Sequence, residues 1–359
     1  MKSIASILLA MLTLLEVSAA VELIAPADNS TVSLARYDWR EQVRTRSKRP
    51  IVPTNKFDLA DNMALPVPVV LVWQNNGGTG NALIETSPDK DFSSGVRTYD
   101  AGIGNHFELY NLETGRVYFW RVKLIKNGQT DAVSAIRCFR TAGNTPRFFN
   151  ITTPAPANFR DIGGYQLPNG KRIKQGMVFR GSELDSTFKL SGANKDFMLN
   201  ELKIRTDLDL RQTKEVRNRK QSELGPQVKW LLRPLNAYNG FTPEQLTTFA
   251  AALKVFAAAE NYPIYVHCSG GADRTGEIIF LLDMLLGMDE ETALLEYETT
   301  SLSYYPRPRN IKYFQQWLNG LRKFGAPGDT MQQAVEKYFL AIGFTEQEIA
   351  AIRENLTGK

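Results

Sequence analysis

One cysteine of the chain stands in a setting that can make it a nucleophile. Cys268 follows the short apolar run 263–266 and opens a loop with two adjacent glycines, which permit a tight backbone turn. An apolar helix is predicted to begin directly after this loop, so the positive helix end and successive backbone N–H groups can face the sulfur. Both effects favour the thiolate, and we expect the pKa of Cys268 to lie well below its free value of about 8.5.

The same loop can hold a phosphate group. Arg274 lies six residues after Cys268, and its planar guanidinium can grip two oxygens of a tetrahedral dianion. Thr275 can donate its hydroxyl to the sulfur. The residues predicted to bind the phosphate are Ser269, Gly270, Gly271, Ala272 and Arg274. A thiolate at the bottom of such a cradle predicts in-line phosphoryl transfer to Cys268 and then hydrolysis of the phosphocysteine, with no cofactor and no metal.

Short apolar strands that alternate with amphipathic helices surround this loop, which is typical of an α/β domain. The apolar patterns predict strands at 203–210 and 264–267. They predict helices at 242–259, 274–286, 289–295, 310–324 and 330–356, the last interrupted at Gly343. These elements would place the loop between a buried strand and a buried helix.

The amino-terminal part of the chain has a different pattern. An apolar run at 68–73 and strict alternation at 116–126 predict strands, and Asn127-Gly128 predicts a hairpin turn. Several short strands at this spacing indicate an all-β sandwich. A proline-containing stretch, 144–157, is predicted to be a semi-rigid linker between the two parts.

An insertion at 35–65 interrupts the amino-terminal part and is rich in basic residues from Arg36 to Arg49. Runs of charge are usually solvated, so we favour a solvated loop or hairpin over an arm that docks a partner. Cys138 lies in a strand-like run and is interpreted as a small buried apolar residue. A disulfide between Cys138 and Cys268 would block the predicted chemistry.

Composition and charge exclude several classes of protein. The 359 residues are 43% hydrophobic and 23% charged, which are ordinary values for a globular chain long enough for two domains. The net charge of +5 is too small for a nucleic-acid-binding signature. Two cysteines exclude a disulfide scaffold and a four-cysteine zinc site, and the presence of only two histidines argues against a histidine-rich metal centre.

The first residues have the features of a signal peptide. Lys2 precedes an apolar region from Ile4 to Leu15, and small residues at 17–19 form a cleavage site. The apolar region is shorter than the roughly 20 residues that cross a bilayer. We predict a signal peptide at 1–19, a mature protein without an integral membrane segment, and a secreted or periplasmic location in a bacterium.

The segment His267–Gly276 resembles the HC-x5-R signature of the cysteine-dependent tyrosine phosphatases, extended by Thr-Gly. Two further segments carry the resemblance: 158–165, which reads Asn-Phe-Arg-Asp-Ile-Gly-Gly-Tyr, and 204–211, which ends in Asp-Leu-Arg. The chain is similar to the bacterial secreted branch whose enzymes act on phosphotyrosine, phosphoserine or phosphothreonine, and phosphoinositides. The resemblance implies an α/β cysteine-phosphatase domain at 158–359.

Residues 22–143 resemble a fibronectin type III domain. Trp73 stands where such domains carry a core tryptophan, and 112–122 looks like their tyrosine corner and the strand that follows. The resemblance implies a β-sandwich in front of the catalytic domain, with a protein or glycan as its partner.

The resemblance also implies a general acid inside the loop, which maps onto Asp273. The alternative is Asp209, at the end of its predicted strand. We favour a structural role for Asp209, as a buried partner of an arginine. Strand alternation puts Asp207 and Asp209 on one face, so spacing does not separate their roles.

Three more residues are predicted to support the site. His267 is expected to orient the loop by hydrogen bonding rather than to act as a base. Arg160 and Asp161 either line the site or form an ion pair that holds the turn at Gly163-Gly164.

The substrate expected from these residues is a phosphorylated protein, through phosphotyrosine or dual specificity. Ala272 stands where lipid-acting relatives commonly carry a lysine, which weakens the alternative of a phosphoinositide or inositol-phosphate substrate. Basic residues within 211–220 would compensate if they faced the mouth, although the solvated face of a helix is favoured for them. A second alternative is a binding or adhesion protein that has lost activity.

Overall fold

The computed structural model describes residues 20–48, 65–151, 155–186, 189–303 and 311–358. The predicted signal peptide at 1–19 lies outside the described residues. The chain divides into two compact units, each made of several chain segments. The first takes its described residues from 20–30, 70–108 and 117–139, and the second takes them from 31–69, 109–116 and 140–358. Among the described residues no helix is long and apolar enough to cross a membrane.

The amino-terminal part is built of strands: β1 (Val21–Ala25), β2 (Ser30–Val32), β3 (Val69–Asn75), β4 (Asn81–Ser87), β5 (Arg97–Asp100), β6 (His106–Leu109), β7 (Val117–Lys126), β8 (Gln129–Val133) and β9 (Arg137–Thr141). One sheet has the order β1-β3-β6, and the other has the order β2-β9-β7-β4-β5 with β8 paired to β7. The predicted β domain is therefore present. Its assignment to the fibronectin type III family stays a prediction.

Strand β7 shows why this segment forms a sheet. Trp120, Val122 and Leu124 are fully buried on one face, as the period of two predicts. On the other face, Arg121 pairs with Glu85 of β4 at 2.6 Å. The predicted turn at Asn127-Gly128 joins β7 to β8, with both residues at the positive φ that this short hairpin requires.

The second unit holds a sheet of strands β10 (Arg147–Phe148), β11 (Arg160–Asp161), β12 (Val178–Gly181), β13 (Thr206–Asp209), β14 (Lys229–Leu232) and β15 (Ile264–His267), in the order β10-β11-β12-β15-β13-β14. Strands β12, β15, β13 and β14 are parallel. All residues of β12, β13 and β15 are buried, as expected for central strands of a parallel sheet. The predicted α/β architecture is confirmed.

The helices of the same unit are α1 (Trp39–Lys48), α2 (Gly192–Asp196), α3 (Thr213–Val216), α4 (Pro243–Leu253), α5 (Asp273–Leu286), α6 (Glu290–Glu298), α7 (Ile311–Arg322), α8 (Met331–Ala341) and α9 (Glu346–Thr357). Helix α5 is the central one, since every residue from Thr275 to Leu286 is buried. It ends at Gly287, whose φ of 90° suits a helix C-cap. The five predicted helical segments are confirmed, with bounds that differ by a few residues.

Helix α1 corrects the prediction of a solvated loop or hairpin for the basic insertion. Residues 39–48 form a helix, in which Trp39 and Val43 are buried in the core of the second unit. Arg44 pairs with Glu291 of α6. The prediction was wrong because the two apolar residues lie four apart, on one helical face, within a run dominated by charge. Residues 49–64 of the insertion lie outside the described residues.

Part of the segment predicted as a linker contributes to the second unit. Residues Arg147–Phe148 form β10, which pairs with β11. Phe149 is buried, and its ring lies 4.8 Å from that of Phe159. The predicted domain boundaries themselves stay a prediction.

Candidate active site

Cys268 lies where strand β15 ends and the loop to helix α5 begins. Its side chain is 3% exposed. Burial raises the pKa of the thiol, but the charge of Arg274 and the hydroxyl and N–H of Thr275 lower it by more. The pKa of Cys268 therefore lies below its usual value, and the thiolate is favoured.

Gly271 lets the loop pass close to its neighbouring strand. Its φ is +63°, a conformation that residues with a side chain rarely adopt. A Cβ at this position would collide with the backbone carbonyl of Gly181, at the end of β12. The shape of the loop thus depends on glycine at this position.

Arg274 is held at the first turn of α5 by a carboxylate that the sequence analysis did not single out. Its Nη1 lies 2.6 Å from Oε2 of Glu215, and its Nη2 lies 3.0 Å from Oε1. Ser269 completes the group, because its hydroxyl donates to Glu215 at 2.8 Å and accepts from Arg274 at 3.2 Å. These bonds, chiefly that from Arg274, lower the pKa of Glu215 to about 2.

Glu215 belongs to the short helix α3, which follows the strand that ends in Asp-Leu-Arg. Its Oε2 also accepts from the backbone N–H of Gln212 at 2.6 Å, the reciprocal bond of a capping box. The spacing of Gln212 and Glu215 was the signal available in the sequence, and it points to a helix start rather than to the loop at Cys268.

His267 lies between two aspartates of strand β13. Its Nε2 is 2.9 Å from Asp207 and 3.9 Å from Asp209, so both carboxylates lie on the same face, as strand alternation predicts. Burial lowers the pKa of His267, but the charges of Asp209 and Asp207 raise it by more, to about 9. Its Nδ1 lies 3.1 Å from the carbonyl of Cys268, so a protonated imidazole can donate to the loop. A side chain charged at neutral pH is unsuited to act as a base.

Asp209 is the buried partner of Arg211. The carboxylate is fully buried, accepts from Nη2 of Arg211 at 2.7 Å, and also accepts from the backbone N–H of that residue. Arg211 further pairs with Glu183 at 3.0 Å and Asp185 at 2.7 Å. Both oxygens of Asp209 are thereby engaged, which agrees with the structural role favoured for it.

The prediction that the basic residues of 211–220 form a solvated helical face is wrong for two of them. Helix α3 has only four residues. Arg211 is buried, and Arg219 pairs with Asp185 and Glu223. Two of their carboxylate partners, Glu183 and Asp185, come from another segment, which composition alone does not reveal. The remaining ones, Lys214, Arg217 and Lys220, are exposed.

The Asn-Phe-Arg-Asp segment, residues 158–161, binds the loop through the carbonyl of Gly271. Nδ2 of Asn158 donates to the carbonyl of Gly271 at 2.8 Å. Arg160 donates to Oδ1 of Asn158 and pairs with the buried Glu296 at 2.6 Å. Arg180 pairs with the same glutamate at 2.6 Å and donates to the carbonyl of Gly271 at 2.7 Å. The carbonyl of Gly271 therefore accepts hydrogen bonds from two buried side chains, Asn158 and Arg180, which fix its orientation.

Asp161 lies apart from these contacts. It pairs with Arg147 at 3.1 Å and accepts from the N–H groups of Gly163 and Gly176. Burial raises the pKa of its carboxyl. Asp161 therefore holds the predicted glycine turn, but its partner is Arg147 rather than Arg160.

Asp273 is the first residue of α5 and is half-buried. Its Oδ1 accepts a hydrogen bond from the phenol of Tyr238. The Tyr238 oxygen also lies 2.6 Å from the hydroxyl of Tyr297. Asp273 directly precedes Arg274, at the point where the loop that carries Cys268 passes into helix α5.

Within the part of the chain that the structure describes, no group of three or more histidine, cysteine, aspartate or glutamate side chains could hold a metal ion. The groups that the structure places at the loop are the thiol of Cys268, the guanidinium of Arg274 and the carboxyl of Asp273.

The match to a model of one protein family agrees with this chemistry. A model of the tyrosine phosphatase family matches residues 151–358, more than half of the chain. No curated protein matches the chain. Similar solved structures include P. aeruginosa TpbA, at 18% identity and a TM-score of 0.32, covering 54% of this chain and 100% of that one. Two others are catalytic cores of Siw14. One is the S. cerevisiae PP-IP phosphatase with citrate, at 17% identity and a TM-score of 0.29, covering 42% of this chain and 81% of that one. The other has 16% identity and a TM-score of 0.27, and covers 52% of this chain and 87% of that one.

Proposed function

The chain belongs to the tyrosine phosphatase family, and from this premise we propose that it is a secreted enzyme that hydrolyses phosphotyrosine monoesters. The observation that carries the proposal is the pairing of Cys268 with Arg274. A thiol whose pKa is lowered by a guanidinium at a helix N-terminus can attack a bound phosphate. Secretion rests on the signal-peptide pattern of residues 1–19.

In the first step, the Cys268 thiolate attacks phosphorus from the side opposite the leaving oxygen. The S–P bond forms as the P–O bond to the tyrosine breaks. Arg274 and the N–H groups of the loop neutralise the charge on the other three phosphate oxygens. Asp273 gives its proton to the departing phenolate, so a neutral phenol leaves.

In the second step, water attacks the phosphocysteine. Asp273, now a carboxylate, takes a proton from this water, and the S–P bond breaks to release inorganic phosphate and the Cys268 thiolate. Every proton and bond is balanced by these groups and water, so the cycle uses no cofactor.

An aromatic pair next to the acid supports phosphotyrosine as the substrate. The rings of Tyr238 and Tyr313 stack with their centres 6.2 Å apart, and Tyr313 is 51% exposed. Tyr238 contacts Asp273 directly, so this pair leads from the loop to solvent. Flat aromatic surfaces favour an aryl group over an alkyl one. Ala272 adds no positive charge to the loop.

A second candidate is a phosphoinositide or inositol-phosphate substrate, favoured by a cleft beside Glu215. The cleft has a volume of about 560 Å³ and is lined by polar residues, among them Arg217 and Lys220. Both cations are exposed, and neither has an ion-pair partner among the described residues. Glu215 lies in the cleft wall and also binds Arg274, so the cleft lies beside the loop. Arg217 and Lys220 could therefore bind a second phosphate of a substrate held in the loop.

The test compares phosphate release from a phosphotyrosine peptide and from a soluble phosphoinositide. Cys268→Ser removes the nucleophile, and Cys138→Ser, in strand β9, is the matched control. We expect turnover of the peptide that Cys268→Ser abolishes and Cys138→Ser retains. Preference for the phosphoinositide would replace the proposal with the second candidate. Turnover of neither substrate, or turnover that survives Cys268→Ser, would overturn both.

A further inference from the structure

We propose that Tyr238 positions the carboxyl group of Asp273 for proton transfer and that the buried carboxyl of Glu277 fixes Tyr238. The inference rests on the proposed function, in which Asp273 is the general acid. Neither Tyr238 nor Glu277 belongs to the loop that binds phosphate, so their effect on proton transfer is exerted through Asp273.

The phenol of Tyr238 is held on two sides. It donates to Oδ1 of Asp273, and its oxygen lies 2.6 Å from the hydroxyl of Tyr297. Tyr297 is fully buried, and its ring stacks on Phe314 with centres 3.5 Å apart. A Cβ at Gly276 would come within 2.7 Å of the Tyr297 ring, so this ring lies directly on α5. Tyr297 is thus an anchor with little freedom, and the hydrogen bond from Tyr238 restricts the rotation of Asp273.

Glu277 fixes the backbone of Tyr238. It lies one helical turn after Asp273 on α5, is fully buried, and accepts the backbone N–H of Tyr238 at 2.8 Å. Tyr238 has a φ of +61°, which is unfavourable for a residue with a side chain. The bond to Glu277 offsets that cost and keeps the phenol directed at Asp273.

The buried carboxyl of Glu277 is favoured in its neutral form, which suits a position close to Cys268 and the phosphate-binding loop. Burial raises the pKa of Glu277 well above its usual value, and the nearby charges of Asp273 and Cys268 raise it further. A neutral carboxyl adds no repulsion to the anionic sulfur or to a bound phosphate. Its Oε2 has no hydrogen-bond partner among the described residues.

Positioning of the acid predicts an effect that depends on the leaving group. The parameter kcat/KM reports the steps up to transfer of phosphate to Cys268, where Asp273 gives its proton. p-Nitrophenolate leaves without a proton, whereas phenolate departs slowly unless it is protonated. A weakened acid therefore slows the reaction of phenyl phosphate more than that of p-nitrophenyl phosphate. A general loss of structure slows both.

The experiment measures kcat/KM for the two esters with the full chain and three variants. We expect Tyr238→Phe to lower the value for phenyl phosphate about tenfold, a part of the 10²-fold or more expected for Asp273→Asn. Both variants should lose less on p-nitrophenyl phosphate than on phenyl phosphate, because p-nitrophenolate depends less on a proton donor. Tyr37→Phe, a half-exposed tyrosine elsewhere in the same unit, is the matched control and should change neither.

Glu277 is tested by two substitutions. Glu277→Gln keeps a neutral acceptor, and we expect it to retain the selectivity between the esters. Glu277→Ala removes the acceptor and should reproduce the loss seen in Tyr238→Phe. Equal losses on both esters, or no loss in Tyr238→Phe, would overturn the inference while leaving the proposed function intact. A wild-type protein that hydrolyses neither ester would overturn both.

Discussion

Arg274 and Glu215 form a two-point ion pair beside Cys268, with N–O distances of 2.6 and 3.0 Å. Ser269 bridges the two side chains. A guanidinium held on one edge by a carboxylate keeps its orientation. In the proposed mechanism its remaining N–H groups face the phosphate, so the placement of Arg274 depends on Glu215, a residue outside the loop.

Replacement of this carboxylate should weaken catalysis. We expect Glu215→Ala to lower kcat/KM for p-nitrophenyl phosphate by about 10- to 100-fold, because a charged hydrogen-bonded pair is worth about 1.5–3 kcal/mol. The matched control is Asp329→Asn, which removes the exposed ion pair between Asp329 and Lys337. That variant should keep full activity, since exposed pairs contribute little. Wild-type activity in Glu215→Ala would contradict the role of the pair.

His267 should make stability depend on pH. Its folded pKa of about 9 lies above the unfolded value of 6.5. A raised pKa stabilises the fold fully below the unfolded value, and the contribution is lost as pH rises through about 9. We expect the free energy of unfolding to fall by on the order of 3 kcal/mol from pH 6 to pH 10. Urea denaturation at both pH values measures it.

The control for this prediction is His267→Gln, which cannot be charged. Its free energy of unfolding should lack this part of the fall, although other groups titrate in the same range. Identical pH dependence of the two proteins would show that His267 is not the source.

Gly271 should tolerate no side chain. In Gly271→Ala a Cβ meets the backbone of Gly181 at a positive φ, so the loop must shift. We expect kcat to fall by about 100-fold or more, since misplacement by about 1 Å costs that much. Gly287→Ala is the control, because its φ is also positive but its Cβ meets nothing within 4 Å. It should lose about 1 kcal/mol of stability and keep its activity.

Activity should survive removal of metal ions. The proposed steps use Cys268, Arg274, Asp273 and water alone. Phosphate release measured after dialysis against EDTA should equal that before dialysis. A loss restored by an added divalent ion would count against the phosphocysteine mechanism.

The candidate nucleophile and its loop could be predicted from the sequence because their interactions are local. Cys268, Arg274 and Thr275 lie within eight residues, and the apolar patterns on either side identify a strand and a helix. A loop between them necessarily has helix N–H groups near the sulfur. The same holds for β7, where alternation alone predicts the buried face.

Other parts of the site were decided by tertiary structure. Glu215 lies 59 residues before Arg274, and Tyr238 lies 35 residues before Asp273. Such pairs form because the parallel strands bring their carboxyl ends to one edge of the sheet. In a sequence, a charged residue is most simply interpreted as solvated, and Arg211 shows how the partners of a buried charge come from elsewhere in the fold.

Helix α1 illustrates the same limit for packing. Its basic composition predicts solvation, whereas two apolar residues, Trp39 and Val43, are buried in the core of the second unit. Whether an apolar pair is buried depends on the other elements that pack against it. Here the ring of Trp39 contacts Tyr165, and Arg44 of the same helix pairs with Glu291 of α6. The sequence by itself determined the local chemistry of Cys268. The tertiary structure decided which distant side chains hold Arg274 and Asp273, because those contacts depend on the order of the strands.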